Sequence, residues 1–182
     1  MNANIAPGDA NTEFRSRVSE IAVAGDFGKV NIGKGFGIYG VPAIGDNGSA
    51  LGVGLIGGPD QVAATAGRIG NGYFYANFTP RVMYTSNNLG GLQFKVGLFS
   101  PSKVDGVTDA EYTMPRIEAN VVYSGDNFSL WSSGFTQDVD SKIGTFDDYT
   151  MSGIDFGGSV SLGGLSVRGN YGITQGTGNG VF

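Results

Sequence analysis

The stretch Glu20-Ile-Ala-Val-Ala-Gly-Asp-Phe-Gly-Lys-Val-Asn-Ile-Gly-Lys34 decides the fold. Ile21 and Val23 precede a tight Gly25-Asp-Phe-Gly28 turn, and Val30 and Ile32 follow it, each separated from the next by a small or polar residue. A repeat of two is that of a strand, whose successive side chains point to opposite faces. The segment therefore reads as a β-hairpin with Glu20, Lys29 and Asn31 on its polar face. In a soluble sheet the apolar face would need a second layer. The pattern recurs down the whole chain, and no long amphipathic helix offers such a layer. Strands apolar on one side and charged on the other, closed into a cylinder, suit a wall with lipid outside and water inside.

Composition agrees with a wall better than with an ordinary core. The 182 residues fit one domain, 1–182, yet Gly is the commonest residue at 33 and charged residues make up only 15%, so apolar side chains must alternate and not mass together. No apolar run approaches the roughly 20 residues of a membrane-spanning helix, so any crossing would be made by strands. The net charge of −5 argues against a nucleic-acid partner, which wants a basic face. The absence of His and Cys removes most transition-metal sites and the usual nucleophile–base pairs. No catalytic residue, no metal site and no cofactor is expected, and the chain does not read as an enzyme. Met1-Asn-Ala-Asn-Ile-Ala-Pro7 has neither the basic start nor the apolar run of an export signal.

Eight strands are expected, near 14–24, 28–34, 80–87, 91–100, 115–124, 127–136, 152–162 and 164–174. Short Gly/Asn/Asp turns join them in pairs, and long connections (35–79, 101–114, 137–151) link the pairs. Short turns at one end and long loops at the other are the layout of an antiparallel up-and-down transmembrane β-barrel. Alternation puts Val82, Tyr84, Leu92, Phe94, Val96, Leu98, Ile117, Val121, Tyr123, Phe156, Val167, Tyr171 and Ile173 outward. Arg81, Thr85, Gln93, Lys95, Arg116, Glu118, Asn120, Asp155, Arg168 and Asn170 fall on the opposite face. In 127–136, Phe128/Leu130 and Trp131/Phe135 sit on opposite parities; a one-residue bulge near Trp131 would reconcile them. The connection 35–79 is too apolar to wave in water (Leu51, Val53, Leu55, Ile56, Val62) and is expected to pack inside the cylinder.

Three stretches carry a family likeness: Ser16 to Lys34 with its hairpin ending in Gly and a basic residue, Arg81-Val-Met-Tyr-Thr-Ser86 followed by Gly90-Gly91, and Gly157 to Tyr171 with its Gly-Gly turn. In order and spacing these resemble the bacterial general porins, the trimeric sixteen-stranded diffusion channels of the Gram-negative outer membrane. The likeness covers residues 13–174. It implies about half of such a barrel, an interior piece of a longer chain, with 35–79 as the inward-folded constriction loop. The resemblance further implies a basic wall formed by Arg17, Lys29, Lys34 and Arg81 opposite loop residues Asp46, Asp60 and Arg68. Other expected pore-lining residues are Lys95, Arg116 and Arg168 among the bases and Glu20, Glu118 and Asp155 among the acids. Outer-membrane lipid, small hydrophilic solutes and ions, and two further copies of the chain are the implied partners.

Plainer readings stand beside these. The basic residues could be solvated charge on a sheet's wet face, Asp46-Asn-Gly48 a simple turn, and Asp60 a helix-start residue after Pro59. Gly35-Phe-Gly-Ile-Tyr-Gly40 matches a dinucleotide-binding glycine pattern, but no helix is expected after it and Pro42 interrupts. Two rival functions remain: a Gly-rich β-sheet binding or adhesion protein without a pore, and a barrel-type membrane hydrolase, which the lack of His disfavours.

Overall fold

The computed structural model describes residues 16–44, 76–103 and 108–177. They form β1 (Ser19–Gly25), β2 (Gly28–Phe36), a one-turn helix α1 (Val41–Ile44), β3 (Phe78–Thr85), β4 (Leu92–Phe99), β5 (Ala110–Glu111), β6 (Arg116–Ser124), β7 (Phe128–Ser141), β8 (Tyr149–Leu162) and β9 (Leu165–Gln175). All lie in one antiparallel sheet of order β1-β2-β3-β4-β6-β7-β8-β9, with short β5 added to β7. The fold is an all-β up-and-down meander. The sheet is open, with β1 and β9 as its two edges.

Glycine makes the tight turns. Gly28 has φ 105 and Gly163 φ 62, conformations that a side chain resists. A Cβ on Gly28 would also lie 2.4 Å from the Thr85 carbonyl oxygen, so the β1–β2 turn could not nest against β3 with any other residue.

Register sorts the side chains into cross-strand rows. One runs Val23–Val30–Tyr84–Val96–Ala119–Gly134–Ile154–Ile173, and the next Phe94–Val121–Ser132–Phe156–Tyr171. This face is apolar and bare: Leu92, Phe94 and Val96 are 37%, 39% and 42% exposed, with no second layer over them among the described residues. The other face holds both core clusters. Tyr39, Phe135, Val139 and Met151 form one, and Ile38, Met83 and Phe99 the other. Their cover is the segment just after β2, so we call this the loop-bearing face.

The bulge expected near Trp131 is absent. Pairing runs unbroken from Ser124↔Ser129 to Ile117↔Thr136 and from Phe128↔Val160 to Val139↔Tyr149. Phe128 and Leu130 are exposed on the apolar face, whereas Trp131 and Phe135 are buried on the loop-bearing one. Aromatic side chains on both faces need no register slip when protein covers one of them. β7 and β8 also run longer than alternation indicates, which shortens the expected connection 137–151 to 142–148. In the added stretch of β7, polar Gln137 and Ser141 flank the single apolar Val139 on the covered face, too little to give a period-two signal. β5, two residues long, was expected to be loop. Around it Asp109 accepts hydrogen bonds from the Ser141 hydroxyl (2.9 Å) and the Thr145 hydroxyl, which hold its carboxyl below the usual range.

Candidate channel lining

The chain leaving β2 turns across the loop-bearing face. Gly37 N–H donates to the Asn77 carbonyl at 2.9 Å, tying the two ends of the long connection together. Beyond that tie, one carboxylate oxygen of Glu118 on β6 accepts the N–H groups of Ile38 (2.5 Å) and Tyr39 (2.9 Å). Gly40 N–H donates to the Ser133 hydroxyl on β7 at 3.2 Å, and Arg168 on β9 donates to the Pro42 carbonyl. Side chains from three strands therefore hold residues 38–42 against the wall. The Tyr39 ring packs on Phe135 at 4.7 Å between centroids. Burial pushes its phenol up to about 12, with Asp155 adding to the rise and Arg116 opposing it.

Most charges on this face are committed to partners. Arg116 Nε donates to the second oxygen of Glu118 at 2.7 Å, and its guanidinium lies 3.9 Å over the Phe135 ring. Arg81 pairs with Glu20 at 2.8 Å and also donates to the Phe36 carbonyl. Glu20 takes a further bond from Asn31 Nδ2 at 2.9 Å. Asp155, 2% exposed, accepts the Ser133 N–H at 2.8 Å and the Ser133 hydroxyl. Arg168 stacks 4.6 Å over Trp131, whose indole N–H donates to Asn170 at 3.1 Å. Lys29 and Lys95 differ: they lie in the row Lys29–Thr85–Lys95, without an ion-pair partner among the described residues.

The expected basic wall is not assembled as a group. Lys29 and Arg81 share the loop-bearing face, but Lys34, opposite Ser19 and Pro80, has the parity of Val30 and Ile32 and belongs to the apolar face. Arg17 lies with its guanidinium 5.4 Å over Phe78, and Phe78 faces Phe36 in the same register, also on the Lys34 side. Both bases sit where β1 starts and β2 ends. Alternation would have placed Lys34 correctly; grouping it by charge did not. Asp46, Asp60 and Arg68 lie outside the described residues. Of the expected lining acids, Glu20, Glu118 and Asp155 are on the loop-bearing face, but as anchors bonded to protein.

Tyr39 and Ser133 were missed as site residues. The local signal was the Gly35–Gly40 run: a Cβ on Gly37 would stand 3.1 Å from the Glu118 carboxylate, so these glycines admit close approach of backbone to wall. That run serves docking; contrary to expectation a helix does follow it, but only the single turn Val41–Ile44 with Pro42 inside it.

No family model matches the chain, and no curated sequence does. Among solved structures, the outer membrane channel DcaP of Acinetobacter baumannii shares the fold, with a TM-score of 0.67 at 13% identity. The match takes in 96% of this chain and 45% of that one, so the chain spans a little under half the length of the channel it resembles. At that identity the likeness is one of architecture. The described strands are arranged like part of the wall of an outer-membrane β-barrel channel.

Proposed function

We propose that this chain forms part of the wall of a water-filled outer-membrane channel through which small hydrophilic solutes and ions diffuse passively. One observation carries the reading: apolar rows run bare across the sheet from β1 to β9, while the opposite face is polar and holds an inward-lying segment. In water, so broad an apolar surface exceeds what monomeric proteins leave uncovered; against hydrocarbon it is the required finish. The likeness to an outer-membrane channel supports the same location and role.

Residues 37–42 then begin a constriction that narrows the lumen from β2 toward β9, and selectivity comes from lumen radius and lining charge, not from catalysis. Assembly as a homotrimer is part of the proposal, carried by the porin resemblance. The test is reconstitution of the full-length protein in planar bilayers. Stepwise ohmic currents are expected. Folding to a monodisperse species in buffer without detergent would overturn the reading in favour of a soluble β-sheet protein.

A further inference from the structure

Among the described residues, every charged side chain of the loop-bearing face has a local partner except two. Lys29 and Lys95 flank Thr85 in one cross-strand row, Lys29↔Thr85↔Lys95, at the short-turn end of the sheet. Neighbouring strands are about 4.8 Å apart, so the two lysine backbones stand about 10 Å from each other. That separation lets both ammonium groups converge over the threonine. Thr85 is 7% exposed, and its hydroxyl has no hydrogen-bond partner among the described residues, which is costly for a buried polar atom. All three residues line a cavity of about 370 Å³ with Met83, Ser86 and Gln93.

Among the described residues, no acidic side chain contributes to that lining. Asp26, in the adjoining β1–β2 turn, is exposed and bonds through its backbone carbonyl to Asn87 at 2.7 Å. Asp155 lies in the same row three strands beyond Lys95 and is bonded to Ser133. Two cations with no carboxylate partner among the described residues, around a hydroxyl that has none there either, are the complement of an oxygen-rich anion. A carboxylate or phosphate seated there would take one charge-assisted bond from each lysine and the hydroxyl proton of Thr85.

We propose that Lys29, Thr85 and Lys95 form a binding site for a small oxyanion at the short-turn mouth of the channel, apart from the segment held by Glu118. The proposal rests on the channel reading for its access route, not for its chemistry. It is tested on the full-length protein with inorganic phosphate and acetate as probes.

In planar bilayers, phosphate should block chloride current saturably. Lys29→Gln and Lys95→Gln should each raise the half-blocking concentration about fivefold, the effect of one solvent-screened charge contact. Thr85→Val, which keeps shape and charge, should raise it about threefold. Block that never saturates, or that ignores Thr85→Val, means a diffuse positive potential and overturns the site.

Equilibrium dialysis of phosphate against the detergent-solubilised protein separates the two claims. Saturable binding lost in the Lys29→Gln/Lys95→Gln double variant supports the site even if no current flows, in which case the channel reading falls alone. A conducting protein that binds neither probe sinks this inference and leaves the channel. Displacement of phosphate by acetate at equal or lower concentration assigns the site to carboxylates; weaker displacement assigns it to phosphate.

Discussion

Replacing Glu118 by Gln should release the segment that crosses the loop-bearing face. The wild-type carboxylate takes two backbone N–H donors on one oxygen and Arg116 on the other. An amide of the same shape has only one acceptor. If its oxygen faces Ile38 and Tyr39, its NH2 meets the Arg116 donor; the reverse flip points NH2 at two N–H groups. Hydrogen bonds to a charged group contribute about 1.5–3 kcal/mol each. In either orientation the two N–H groups lose their charged acceptor, and at about 1.5 kcal/mol each this costs about 3 kcal/mol, a factor of roughly 150 in the docking equilibrium. Amide hydrogen exchange of the full-length protein in detergent reads this directly: protection at Ile38, Tyr39 and Gly40 should fall by about two orders of magnitude. Amides of the β1–β2 pair near its turn, such as Val23 and Val30, make no contact with the segment among the described residues and should hold theirs. In bilayers the same variant should show larger and noisier open-state current. Unchanged protection at Ile38 and Tyr39 would refute the anchor and return Glu118 to the role of an ordinary wall charge.

Three further outcomes follow from the packing. Gly157→Ala places a methyl 2.4 Å from the Trp131 ring and 2.5 Å from the Gly169 carbonyl, so it should destabilise the fold by about 1–3 kcal/mol. Because Trp131 is the single tryptophan, its displacement should appear as a red-shifted emission, and an unshifted spectrum would contradict this packing. Val96→Arg sets a charge in the bare apolar rows and should cost about 2–4 kcal/mol of folding into lipid if the residue lies near the bilayer midplane; equal folding yield into liposomes would contradict lipid contact there. The Tyr39 phenol, raised to about 12 from its ordinary 10, contributes stability present in full below pH 10 and lost as pH rises through about 12. Ultraviolet titration should show a phenol ionising near 12, and Tyr39→Phe should remove that step.

The faces were legible in the sequence wherever one side of a strand is bare. Ile21, Val82, Phe94, Ile117 and Tyr171 follow a strict alternation and stand where it puts them. Alternation became ambiguous at Trp131 and Phe135 because their burial comes from Arg168, Tyr39 and Arg116, groups far away in sequence. It weakened in the ends of β7 and β8, where Gln137 shares the covered face with Val139 and Met151 and breaks the apolar row. Basic residues could be counted along the chain, but whether a charge is free or neutralised depends on a cross-strand neighbour. The Arg81–Glu20 pair spans 61 positions, and nothing local announces it. Lys34 shows the opposite error, a correct local rule overridden by grouping residues by sign.

The bonds that seat residues 38–42 also impose an order on biogenesis. The Ile38–Glu118 contact joins groups 80 positions apart, and Arg168 reaches Pro42 across 126. Each ribbon pair can zip from its own tight turn, but the early segment has nowhere to dock until the late ribbons exist. Closing such long separations is slow compared with zipping a hairpin. On the proposed channel reading, the nascent wall should therefore form around an unobstructed lumen and acquire its internal obstruction last, leaving a brief interval in which an immature pore is wider than the finished one.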